Sequence, residues 1–233
     1  MNHGIYSAAS AMDAARLRLD RIAHNVANLG TPAFKRQDAS FASIQTTDSD
    51  GLHRVVAGMP RVDLSQGNLM RTGGQYDLAL MGEGFFAVEL PGGEAYTRRG
   101  AFDVGPGGTL LTGEGYPLAW ELRTGAIDPL GEPVLVNRDG VVQQGAVEVG
   151  RLRLVNFADN HQLKTDREGY LHAPPGLPQA ARTAEVHQYS LEGSNVNPIE
   201  EMVALIETQR AFEGAANALS LIEESYRRLS EGR

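Results

Sequence analysis

The chain has 233 residues, 42% apolar and 21% charged, a composition that supports a folded core and excludes disorder throughout. A formal net charge of -8 without any Lys/Arg cluster excludes a general nucleic-acid binder, which must displace counterions from phosphate. Cysteine is absent, and with it any disulfide framework, Cys-based zinc site or thiol nucleophile.

The N-terminal stretch carries Asp13, Arg16, Arg18, Asp20 and Arg21, so no uninterrupted apolar region marks a Sec-type signal. Apolar residues instead fall at Ile5, Ala8, Met12, Ala15, Leu19, Ile22, Val26 and Leu29, in alternating steps of three and four. This heptad seam predicts an amphipathic helix from about Asn2 to Leu29, closed by Gly30 in a left-handed cap and by Pro32, which cannot continue the hydrogen-bond ladder. Residues 1–35 are read as an N-terminal assembly helix, and 36–60, rich in Ser, Thr, Asp and Gln, as an extended connector.

Residues 61–190 carry short alternating runs at Phe85–Leu90, Val134–Val136, Val141–Gln143 and Arg151–Phe157. Turn signals such as Pro91-Gly92-Gly93 and Asp139-Gly140 separate them, so this span predicts a β-rich central domain. Phe85 and Phe86 must point to opposite faces of their strand, one expected in the core and the other at a subunit contact. In the segment 191–233, Asn197, Pro198 and Glu200 supply an N-cap, a proline at the first helical position and a capping-box acid. From there Ile199, Met202 and Ile206 begin an apolar face that resumes at Phe212, Leu219, Ile222, Tyr226 and Leu229. No run approaches the roughly 18 apolar residues of a membrane span.

The fold class is therefore α+β, a mainly-β central domain flanked by two long terminal helices. Amphipathicity alone fits packing on the chain's own β domain as well as pairing with another helix, and the sustained 3.5-residue spacing tilts the balance toward helix-on-helix contact. Ordering some 26 residues costs on the order of 1–2 kcal/mol each, more than burial of one eight-residue seam returns at about 1.5–3 kcal/mol per side chain. The helices are thus expected to be marginal until they meet neighbours. The candidate assembly interface is Ile5, Met12, Leu19, Ile22, Val26 and Leu29 in the first helix, with Ile199, Met202, Ile206, Phe212, Leu219, Ile222, Tyr226 and Leu229 in the second.

Ala23-His24-Asn25-Val26-Ala27-Asn28-Leu29 with Thr31-Pro32-Ala33-Phe34-Lys35-Arg36 resembles the N-terminal signature of bacterial flagellar rod and hook proteins, Pro32-Ala33 replacing the usual Asn-Gly. Leu64-Ser65-Gln66-Gly67-Asn68-Leu69, Gly82-Glu83-Gly84-Phe85-Phe86, and Tyr96-Thr97-Arg98-Arg99-Gly100-Ala101-Phe102 followed by Gly113-Glu114-Gly115-Tyr116-Pro117 are similar to further elements of that family. So are Leu191-Glu192-Gly193-Ser194-Asn195 through Met202, and Gln209–Glu213, at the C-terminus. The resemblance implies an axial subunit of the basal-body rod, self-assembling into the drive shaft. It implies partners among copies of itself and other rod and hook subunits, and passage through the type III export apparatus without a cleaved signal. The short Gly125–Gly150 spacing leaves no room for the hook subunit's outer domain, and the modest length suits a proximal rod subunit better than a distal one.

No candidate chemistry assembles from the sequence. His24 has no placed catalytic partner, and His3, His53, His161, His172 and His187 lack metal-ligand spacing. Asp159, Asp166 and Glu168 near His161 miss the calcium-loop pattern, and the Gly82 and Gly113 pairs miss the third glycine of a dinucleotide site. No cofactor and no catalysis are expected. The rival readings are a distal rod or hook-type subunit and, from another class, a carbohydrate-acting enzyme using paired carboxylates.

Overall fold

The computed structural model describes residues 3–45, 53–57, 61–166, 168–181 and 183–231. The chain folds into two compact units: residues 1–29, 36–63 and 196–233 form one, and residues 30–35 and 64–195 the other.

The first unit is built on two helices that pack together, α1 (His3–Ala27) and α2 (Pro198–Glu231). At 1.5 Å per residue they span about 37 and 51 Å. A Cβ on Gly4 would lie 3.2 Å from Ile222 Cδ1, while Ile22 and Asn25 line one pocket with Glu201 and Ala204, so the helices run antiparallel. The predicted start of α2 is the observed one. The Asn197 carboxamide oxygen accepts the Ile199 N–H at 3.0 Å, and Glu200 takes the Asn197 side-chain amide at 2.9 Å rather than the backbone N–H of a standard capping box.

The end of α1 departs from expectation. The helix stops at Ala27, its last bonds tighten to Asn28 N–H on the Asn25 carbonyl and Leu29 N–H on the Val26 carbonyl, and Gly30 does not take a positive φ. Asn28 Nδ2 donates to the His24 carbonyl at 2.9 Å, so a side chain satisfies an end carbonyl that a left-handed glycine would otherwise help to cap. The left-handed residue is Ala33, at φ 55°, third in a turn closed by Phe34 N–H on the Thr31 carbonyl. Strands Gln37–Asp38, Phe41–Gln45 and His53–Ala57 stand within the stretch read as a connector; residues 46–52 and 58–60 lie outside the described residues.

The second unit is antiparallel throughout its described ladders. A six-stranded sheet runs in the order Lys164–Thr165, Leu171–His172, Gly93–Thr97, Phe85–Leu90, Leu154–Phe157, Gln179–Ala180, and a four-stranded sheet in the order Trp120–Arg123, Val147–Leu152, Val141–Gln144, Val134–Val136. The run Arg151–Phe157, read as one strand, is two. Arg153 leaves the first ladder, donating its N–H to the Ala119 carbonyl and offering its own carbonyl to Ala87 N–H, so the chain passes there from one sheet to the other.

The Phe85–Leu90 strand divides the core. Phe86 and Val88 join a cluster with Leu78, Leu80, Leu110 and Leu152, whereas Phe85 and Ala87 join Tyr96, Val155 and Phe157 on the other face. Both phenylalanines are buried, at 2% and 0% exposure, so neither is the surface contact that the alternation suggested. The strand is covered on both faces, and Phe86 meets Phe102 edge-on at 5.3 Å.

Gly100 is forced by a close approach: a Cβ there would sit 1.5 Å from the Leu78 carbonyl oxygen, which is backbone and cannot swing away. Gly100→Ala is expected to destabilise the chain by at least ~3 kcal/mol. Gly113→Ala, with nothing within 4 Å, is expected to shift stability by less than about 0.5 kcal/mol. Urea unfolding of the two variants distinguishes them, and overlapping curves would contradict the packing described.

Candidate functional site

In the second unit, the residues that carry the family resemblance converge on one carboxylate. Glu192, in the strand Ser190–Glu192, has a fully buried side chain. Its Oε1 accepts from Lys35 Nζ at 2.6 Å and from Gly67 N–H at 2.9 Å, and its Oε2 accepts from Arg98 Nη1 at 3.2 Å. The Glu192 carbonyl takes the Ala33 N–H at 2.7 Å.

The cations are satisfied in turn. Lys35 Nζ also donates to the Ser65 carbonyl and Arg98 Nη2 to the Gly82 carbonyl, each at 2.6 Å, while the Arg98 guanidinium lies 5.5 Å from the centre of the Phe85 ring. Two cations on one anion leave a surplus charge where the dielectric is low, and the carbonyls and the ring face take it up. Arg98 Nε is buried with no partner among the described residues. Glycine is needed at 67 because a Cβ would fall 2.1 Å from the Gly193 carbonyl oxygen. Lys35, Gly67, Gly82, Arg98 and Glu192 each come from a different one of the five stretches noted in the sequence.

The first unit has its own buried centre. Asn25, 1% exposed, pairs with the backbone of Gln37 through both ends of its carboxamide, Nδ2 to the carbonyl and Oδ1 from the N–H, each at 3.0 Å. It thereby acts as one rung of a ladder, fastening α1 to the following chain. Glu201 of α2, its side chain fully buried, accepts from Arg36 Nε at 2.5 Å, and Arg36 Nη1 reaches Asp38 at 2.7 Å. Burial works against the Arg36 charge, but the bond to Glu201 and the charges of Asp38 and Glu201 outweigh it and hold the guanidinium's pKa above its usual value.

The structure sorts the candidate interface residues by heptad position. In α1, Ala8, Ala15 and Ile22 are buried, whereas Ile5, Met12 and Leu19, half a heptad away, are only half-buried and Val26 is 39% exposed. Leu29 is half-buried beyond the helix end, as are Phe212, Leu219, Ile222 and Tyr226 in α2. The first turns of α2 turn inward Glu201, Ala204 and Thr208, leaving Ile199, Met202 and Ile206 71%, 63% and 51% exposed. The side chain of Leu229 lies outside the described residues. His24 is exposed, and no described helix is long and apolar enough to cross a membrane.

Sequence reasoning quoted Lys35, Arg98, Glu192 and Asn25 without giving them roles. The available signal was a set of charges and a carboxamide embedded in Gly-rich or apolar runs, where solvation alone does not explain them.

Residues 5–35 match the family described as flagella basal body rod protein, residues 79–144 the flagellar hook protein FlgE/F/G D1 domain, and residues 187–231 the flagellar basal body rod FlgEFG protein C-terminal. The chain is 39% identical over 231 residues to the flagellar basal-body rod protein FlgF of Caulobacter vibrioides, covering 94% of this chain and 93% of that protein. It is 33% identical over 255 residues to the FlgG rod protein of Buchnera aphidicola subsp. Schizaphis graminum (94% and 95% covered), and 30% over 260 residues to the FlgG of Caulobacter vibrioides (97% of each).

Removing the central carboxylate strands two buried cations. Glu192→Ala is expected to cost about 3–5 kcal/mol, and Glu192→Gln, which keeps the shape and loses the charge, to cost more than 1.5 kcal/mol. Urea midpoints of both variants check this; values within ~0.5 kcal/mol of wild type would show that the network does not hold the unit together.

Proposed function

The chain belongs to the flagellar basal-body rod and hook family as a structural axial subunit, and from that premise we propose a proximal rod protein that polymerises through its terminal helices. Its partners on this reading are copies of itself and other axial subunits. It reaches the periplasmic rod through the flagellar export apparatus without a cleaved signal, and it catalyses nothing. The higher identity to the FlgF than to the FlgG of one organism, 39% against 30%, supports the proximal assignment.

The observation that carries the assembly reading is the half-covered heptad seam. One heptad position of α1 is buried and the other half open, and α2 opens with Ile199, Met202 and Ile206 facing solvent along one stripe. A helix that needed only its own chain would turn these residues inward and leave Glu201 and Thr208 outside. With 71%, 63% and 51% of these side chains still exposed, covering them with a neighbour's surface would contribute roughly 3–6 kcal/mol before the cost of association. That is enough to couple ordering of the helices to incorporation.

Ile199→Ser combined with Ile206→Ser separates assembly from folding. Because both side chains are exposed, the urea midpoint of the free chain is expected to stay within about 1 kcal/mol of wild type. A strain carrying the variant as its only copy is expected to lose swimming in soft agar; normal swimming at normal protein level would overturn the reading.

A further inference from the structure

Within the first unit, a cavity of about 510 Å³ opens beside the Arg36–Glu201 pair, and its lining is unevenly charged. Arg18, Arg21, Arg36 and Arg61 line it against only two carboxylates, Asp38 and Glu201. Both carboxylates are committed to Arg36. Among the described residues Arg21 has only a 3.3 Å bond to the Gln37 carboxamide, and Arg18 and Arg61 are exposed and form no ion pair. The second oxygen of Glu201 is buried and has no donor among the described residues, so no rim guanidinium hydrogen-bonds it. Among the described residues the four guanidiniums and two carboxylates of the lining leave a surplus of two positive charges around a concave space, a field that draws in an anion and orients it.

We propose that this pocket is a socket for an acidic side chain of a second copy of the chain, supplied by Glu207 of that copy's α2. Glu207 is exposed and forms no ion pair among the described residues, and it lies one helical turn beyond Val203, at the flank of the exposed stripe of Ile199, Met202 and Ile206. Apolar stripe and acid therefore present together, the stripe supplying area and the acid fixing register and direction. The contact runs from socket to helix, and where a pair does not reciprocate it and the rotation does not close a ring, it propagates into a filament. This inference rests on the self-assembly reading above.

The test is a charge swap on the full chain, read by sedimentation velocity at low and high salt. Arg18→Glu with Arg61→Glu reverses the socket, and Glu207→Arg reverses the plug; all three positions are exposed, so urea midpoints should match wild type. Each reversed chain alone is expected to self-associate about tenfold more weakly, and an equimolar mixture of the two to regain wild-type association, with high salt erasing the differences. A mixture as weak as its components, or a reversed socket that associates like wild type, overturns the socket while leaving assembly through the helices standing. If the wild-type chain does not self-associate at any concentration, the self-assembly reading fails and takes the socket with it.

Discussion

A carboxylate with no access to water must be met by positive charge and N–H groups wherever the chain can bring them, and Glu192 is met from several directions. Lys35, Arg98 and the Gly67 N–H reach its two oxygens, and Gly82 and Ser65 reach the cations that do so. The energetic logic is asymmetric. Assembling the network contributes little net stability after desolvation, whereas removing any charged member leaves the others buried and uncompensated. Its effect is specificity: the N-terminal turn, the entry to the sheet, the glycine loop before Phe85 and the last strand have one mutual arrangement that satisfies every charge. Two aromatic-lined cores on either side of the Phe85–Leu90 strand then fill around that frame.

The terminal-helix unit follows the opposite plan. Its inward side is mixed, with Asn25, Arg36, Glu201 and Thr208 beside Ala8, Ala15 and Ile22, and much of its apolar surface faces out. An interior of small and polar residues packs helices closely without a large hydrophobic gain, so the free unit draws modest stability from its own contacts. The β unit is completed internally, whereas the helical unit leaves apolar surface uncovered, as the proposed assembly through the terminal helices requires.

The legible parts of the fold were the local ones. Asn197, Pro198 and Glu200 marked the start of α2 to the residue, because capping is decided by neighbours three or four positions away. Alternation at Phe85–Leu90 predicted two faces but not that both would be buried, since burial depends on what a second strand or sheet brings. The Glu192 network was illegible for a plainer reason: its partners lie 157 and 94 residues away in sequence, and no periodicity links them. At the helix ends the apolar pattern was read correctly as a stripe, but a stripe does not name its partner. Ile199, Met202 and Ile206, read from sequence as part of a candidate assembly interface, stand in solvent in the chain by itself. The cap after α1 was misplaced because Asn28, four positions before Pro32 in the turn Thr31–Phe34, serves a carbonyl that a glycine was expected to serve.

The central claim is that one unit is complete in the free chain and the other is not. Hydrogen exchange followed by mass spectrometry on the free full-length chain tests it most directly. Amides of Ala33 and Gly67, which bond Glu192, and of Gly193, which bonds the Asn68 carbonyl, should exchange only through global opening, and those of α1 and of residues 199–206 at least about 100-fold faster through local opening. Equal protection across both units would contradict the account, because the helices would then already be finished without a neighbour.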